Sequence, residues 1–169
     1  AIFEAIVLAA PGGLGAAPSH DVRDAPRVTV VEAMRLAAER DLIARQYATD
    51  FQDVFEIGTS AFRRAEARGE KGMWPTVFTY LAFLANFPDS HVARKHGLDV
   101  AKQLRRCAAA ILDDTQRTDD ETERADKLMA FDSRLKERSL NPGTSADLTV
   151  ATLFVQSLRS NLHNPYVDG

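Results

Sequence analysis

The chain has 169 residues, enough for one domain or a large part of one, and a fold of this length buries roughly two thirds of its surface without a disulfide or metal staple. Apolar residues make up 45%, and a net charge of −3 with a pI near 5.8 lacks the strong basic excess of a nucleic-acid-binding domain. The single cysteine, Cys107, excludes an internal disulfide and fits a reducing cytoplasm; no apolar stretch approaches the ~20 residues of a membrane span, and no signal-peptide pattern is present.

The chain opens without Met on a segment whose Ile2, Ile6 and Ala9 share one helical face, so it reads as starting inside a helix, as a fragment would. Pro11-Gly12-Gly13 stops that segment, and the stretch 11–27, with Pro11, Pro18 and Pro26, reads as a loop. Periodicity predicts a helix from Val30 to Glu39. Another is predicted from Asp41 to Gly58, with Ile43, Tyr47, Phe51, Val54 and Phe55 on one face and a kink at Asp50. A short helix follows from Ser60 to Arg68, stopped by Gly69. Residues 74–87 are rich in aromatics and leucine and read as a helix buried nearly all round. Asp89, after Pro88, starts a helix whose core stripe is Val100, Leu104, Cys107, Ala108 and Ile111, which makes Cys107 a small buried hydrophobe. Thr118 and Glu121 have capping-box spacing, so the next helix starts at Thr118 and turns Leu128, Phe131 and Leu135 inward. The last helix begins after Asn141-Pro142-Gly143 and carries Leu148, Ala151, Phe154, Val155 and Leu158. The expectation is an all-α, orthogonal array of about seven helices with no significant sheet, since the helices are short and lack sustained heptads.

Three segments offer more than packing requires. In Asn141-Pro142-Gly143-Thr144-Ser145, Pro and Gly fix a turn, and free N–H groups at a helix start beside hydroxyls suit an anion such as phosphate; a plain capping pair, Thr144 with Asp147, explains the same residues. In Asp89-Ser90-His91-Val92-Ala93-Arg94-Lys95-His96, the cations suit polyphosphate and Asp89 suits Mg²⁺ or a hydroxyl hydrogen; the plain alternative is a solvated helix with Asp89 as N-cap. Pro11-Gly12-Gly13-Leu14-Gly15 would let backbone approach a ligand, or is a flexible connection, and it lacks both the spacing and the preceding strand of a dinucleotide fold. The acidic run Asp113, Asp114, Asp119, Asp120, Glu121, Glu123 and Asp126 is interleaved with Arg117, Arg124 and Lys127 and reads as a solvated, capped face rather than a metal site.

Residues 140–154, LNPGTSADLTVATLF, resemble the C-terminal signature of the triphosphoribosyl-dephospho-CoA synthases. Residues 87–97, FPDSHVARKHG, are similar to a second family segment, with Ser90-His91 where Thr-Asn is common. PGGLG and residues 39–58 resemble the branch found in archaea and in some methylotrophic and other proteobacteria. The resemblance implies that residues 1–169 are the C-terminal part of a single all-α enzyme domain whose N-terminal half is absent, so that this part alone is inactive. It implies transfer of a triphosphoribosyl group from ATP to dephospho-CoA with release of adenine, in the cytoplasm, for prosthetic-group synthesis. On this resemblance Asp89 and Asp147 are catalytic or bind Mg²⁺, and Asn141, Gly143, Thr144, Ser145, Arg94, Lys95, His96, Gly12 and Gly13 hold the nucleotide. The partners are dephospho-CoA or a related nucleotide or cofactor precursor and the missing half, with no nucleic acid and no membrane; a homo-oligomer is left open. The other readings are a related transferase in the synthesis of a pterin- or furan-type C1 carrier, and a non-catalytic helical binding domain.

Overall fold

A computed structural model describes Leu8 and residues 28–162, and the chain divides into two compact units, Ala1–Asp50 and Phe51–Gly169. The described residues are all-α, with no strand among them, and none of their helices is long and apolar enough to cross a membrane. The candidate segment at Gly12 and Gly13 and the helical start at Ile2 lie outside the described residues.

In the first unit, α1 (Val30–Arg35) packs against α2 (Leu42–Ala48). Thr29 starts α1 through a reciprocal capping box: its hydroxyl accepts the Glu32 N–H at 3.2 Å while the Glu32 carboxylate accepts the Thr29 N–H at 2.8 Å. Turns replace the predicted helix beyond Arg35. Asp41 caps α2, accepting the N–H groups of Ile43 and Ala44 at 2.8 and 3.1 Å. The predicted kink at Asp50 is a full break, because Asp50 and Phe51 both take left-handed backbone (φ 53° and 61°), which ends a right-handed helix.

The second unit begins with a π-helical segment (Val54–Gly58) that runs directly into α3 (Thr59–Ala67). It continues with α4 (Trp74–Asn86), α5 (Ser90–His96), α6 (Leu98–Arg117), α7 (Glu121–Glu137) and α8 (Gly143–Leu162). The predicted burial of α4 holds: it packs against α3, α6, α8 and the π segment, and Trp74, Phe78, Leu81, Phe83 and Leu84 are all buried. Pro75 falls in the first turn, where a missing N–H costs nothing. Leu81 and Leu84 join Val92, Leu104, Phe131, Leu135 and Leu140 in the main core. Trp74 and Phe78 form a second cluster with Ala65, and Val77, Leu112 and Leu128 pack against both. At roughly 1.5–3 kcal/mol for each large buried side chain, these clusters are the main driving force of the unit.

Several expectations need correction. The helix starting at Asp89 is two helices, because Gly97 takes φ 92°, ψ 154° and breaks it after one short turn set. Cys107 is exposed, since the buried stripe of α6 runs through Ala101, Leu104, Ala108 and Thr115 and leaves residue 107 to one side. Helix α7 is capped by Asp120, which accepts the Glu123 N–H at 2.8 Å; Thr118 instead donates to the Asp114 carbonyl at the end of α6. Of the residues read onto one face of a single helix from Asp41 to Gly58, Val54 is buried while Tyr47, Phe51 and Phe55 are at least a third exposed, since the helix breaks at Asp50. On α8, Phe154 (63% exposed) and Leu158 (44%) face outward, because the buried face runs through Thr144, Ser145, Leu148, Thr149 and Thr152. The acidic run is solvated and paired as expected, with Arg117 on Asp113 at 2.6 Å and Lys127 on Asp114 and Glu123 at 3.0 and 2.9 Å.

The hydroxyls of Thr149 and Thr152 are satisfied inside α8, donating to the Ser145 and Leu148 carbonyls at 2.8 and 2.9 Å, so that face packs without an unpaired polar group. Gly58 makes the close approach possible. A Cβ there would fall on the Thr152 hydroxyl and come within 2.8 Å of the Phe83 ring. Gly58→Ala is therefore expected to destabilise the protein by about 1–3 kcal/mol through overpacking. Urea denaturation measures this, and an unchanged midpoint would show that α8 and α4 can part there without cost.

Candidate functional site

Two helices start at one carboxylate. Asp89 follows Pro88 in a non-helical conformation, and its Oδ1 accepts the N–H groups of His91 and Val92 at 2.9 and 3.1 Å, capping α5. Its Oδ2 accepts both the backbone N–H and the hydroxyl of Ser145, each at 2.8 Å, at the start of α8. One side chain thus caps its own helix and a helix that begins more than fifty residues later. Thr144 ties the same corner, its Oγ1 accepting the His91 N–H at 3.2 Å and the Ser90 hydroxyl at 3.4 Å.

The physics explains how a carboxylate can be 0% exposed here. An isolated buried charge is strongly disfavoured. Asp89 receives three N–H donors and one O–H donor, and it sits where the partial positive ends of two helices converge. Each carboxylate oxygen accepts two hydrogen bonds, so its acceptor positions are filled by protein. The turn Asn141-Pro142-Gly143 brings α8 in tightly, for a Cβ at Gly143 would lie 3.2 Å from His91 Nδ1. The other ring nitrogen, Nε2, is shielded from solvent and has no hydrogen-bond partner. Nearby, burial first, and then the charges of Asp89 and Asp132, push the Tyr80 hydroxyl above its ordinary range, so it stays protonated at neutral pH.

The fold therefore brings together Asp89, Ser90, His91, Gly143, Thr144 and Ser145 from the two sequence segments. It treats the other candidates differently. The predicted capping pair of Thr144 with Asp147 does not form; the cap of α8 comes from Asp89, and Asp147 is exposed. Asn141 is exposed beside the turn. Arg94, Lys95 and His96 are exposed in the last turn of α5, where cations complement the negative helix end. Among the described residues, no group of three or more His, Cys, Asp or Glu side chains is placed to hold a metal ion. Tyr80 escaped the sequence reading because it lies within the aromatic, leucine-rich α4; a phenol among apolar residues was the only signal.

Comparison with known proteins returns one family, described as CitG, ATP:dephospho-CoA triphosphoribosyl transferase, which matches residues 1–165. Protein CitXG of Haemophilus influenzae is 35% identical over 81 residues, a stretch that covers 48% of this chain and 17% of that protein. No solved structure matches the chain.

Asp89→Ala would strand four donors at a buried corner. At roughly 1 kcal/mol for each, the expected loss of stability is about 3–5 kcal/mol by urea denaturation. Ser145→Ala, which removes only the hydroxyl, is expected to cost about 0.5–1.5 kcal/mol. Equal, small losses for the two variants would contradict the double cap.

Proposed function

The chain belongs to the ATP:dephospho-CoA triphosphoribosyl transferase family, and we propose that it acts in the transfer of a triphosphoribosyl group from ATP to dephospho-CoA with release of adenine. The observation that carries this reading is the family match over residues 1–165. The junction of α5 and α8 supports it, because it joins in space the fairly specific family segment 140–154 and the supporting segment 87–97.

The reaction is a displacement at the anomeric carbon of the ATP ribose. An acceptor hydroxyl oxygen forms a bond to that carbon, the bond to adenine breaks, the hydroxyl proton passes to a base, and adenine leaves with a proton in its place. The protein must hold the triphosphate, orient the hydroxyl and keep competing water out. We assign the triphosphate to Arg94, Lys95 and His96 at the exposed end of α5, with the exposed Asn141 beside the turn into α8; the Gly143 N–H is held by the Asn141 carbonyl at 2.8 Å and fixes that turn. Asp89 is a positioning residue on this reading. Its lone pairs are spent on the two caps, so it fixes the helices that carry the contact groups. The exposed carboxylate of Asp147 is the group assigned to Mg²⁺ or to the acceptor hydroxyl. Among the described residues it belongs to no group of three or more ligating side chains, which suits Mg²⁺, an ion that keeps several waters and takes its remaining oxygens from substrate phosphates. When bound, the ion would neutralise phosphate charge.

Isothermal titration of ATP with Mg²⁺, tripolyphosphate, adenosine and dephospho-CoA tests the reading, with adenine release as the second readout. Binding of both substrates and release of adenine by the full-length protein are expected. Replacing Arg94 and Lys95 together by alanine is expected to weaken tripolyphosphate about tenfold or more, ~1.4 kcal/mol, while adenosine binding changes little. Equal losses for both ligands would remove α5 from the phosphate site, and a full-length protein that binds neither substrate would overturn the named transfer.

A further inference from the structure

A cavity of about 500 Å³ opens between the end of α3, the end of α6 and the start of α7, lined by Arg68, Glu70, Gln116, Thr118 and Arg124 among others. It shares no residue with the α5–α8 junction. Its volume lies in the range of small-molecule sites.

Arg124 is the unusual group there. It is only 8% exposed, with its guanidinium centre 4.3 Å from the Trp74 ring centroid and Nη1 on the Glu70 carboxylate at 2.6 Å. Trp74 is itself held, its indole N–H donating to Glu121 at 2.6 Å. Of the three Arg124 nitrogens only Nη1 bonds a protein oxygen, and Nε is shielded from water with no partner. A buried guanidinium left short of acceptors is costly and normally finds an anion. Arg68, on the opposite lip, forms no ion pair among the described residues; its guanidinium centre lies 5.4 Å from the Phe78 ring centroid, and that of Arg124 lies 6.0 Å from the same ring. Two guanidiniums thus flank one aromatic ring, and among the described residues Glu70 is the one carboxylate in contact with either. The other lining acid, Asp119, is exposed, where water and salt screen it.

We propose that this cavity is a binding site for a phosphate-bearing small molecule, with Arg124 as its floor and Arg68 closing over the anion. Phosphate fits better than carboxylate because its several oxygens and charge near −2 can serve two arginines from two sides, whereas a carboxylate is satisfied by the fork of one. The Gln116 amide and Thr118 hydroxyl supply polar wall beside it.

Trp74 is the only tryptophan in the chain, so its fluorescence reports on the Arg124 stack. Pyrophosphate titrated into the protein at constant ionic strength is expected to give a saturable change, with inorganic phosphate weaker and acetate silent over the same range. Arg68→Gln, at an exposed position where folding is not at stake, is expected to raise the pyrophosphate Kd at least about tenfold, and Arg124→Lys to abolish the response. No saturable change with pyrophosphate overturns the proposal. So does an equal response to acetate, or an unaltered Kd in Arg68→Gln. A response that survives Arg68→Gln but vanishes when Arg94 and Lys95 are replaced belongs to α5 and also overturns it.

Discussion

The second unit is organised around one buried carboxylate. Asp89 has no contact with water, yet every acceptor position it owns is filled by donors from the first turns of α5 and α8. Such a group sets an angle and a distance as well as an energy: both helix starts must reach the same two oxygens. Glycine at 143 and the hydroxyl of Thr144 complete the corner, the first by leaving room for the His91 ring and the second by accepting the His91 amide. The surfaces assigned to substrate lie on the helices that this corner fixes, which is how a fully buried side chain comes to matter for binding.

The rest of the unit keeps that corner rigid. Helix α4 fills the centre with Phe78, Leu81, Phe83 and Leu84 and touches α3, α6, α8 and the π segment. The buried face of α8 is mostly small and hydroxylated, with Leu148 as its large apolar member, and the hydroxyls of Thr149 and Thr152 turn back onto their own helix. Gly58 lets the π segment reach Thr152 and Phe83. This division of labour leaves Phe154 and Leu158 outside.

The helical fold was legible in the sequence because its signals are local. Asp89 as a cap, the apolar run of α4 and the solvated acidic stretch each follow from neighbours within a few residues. Failures came where another partner, near or distant in the chain, outcompeted the expected cap. Thr118 gave up its capping role to the Asp114 carbonyl and Lys127, and Glu121 took the Trp74 indole instead. Thr144 turned to His91, so the cap of α8 arrived from Asp89. Periodicity placed Cys107 inward because it reports that a helix is amphipathic without saying which neighbours it will meet. The two site segments were each visible as motifs, but their meeting at one carboxylate is a tertiary fact. Arg124 looked like one more charge on a solvated helix, since its burial depends on Trp74 and Glu70 across the fold.

Native-state amide hydrogen exchange on the wild type and on Asp89→Asn tests the double cap most directly. Asn keeps the size of the side chain but turns a donor toward one of the two helix starts. The expected result is that the amides of His91, Val92 and Ser145 are all protected in the wild type. Protection of Ser145 is expected to fall in the variant together with at least one of the other two. Loss confined to His91 and Val92, with Ser145 unchanged, would mean that α8 holds its own start and that Asp89 organises α5 alone.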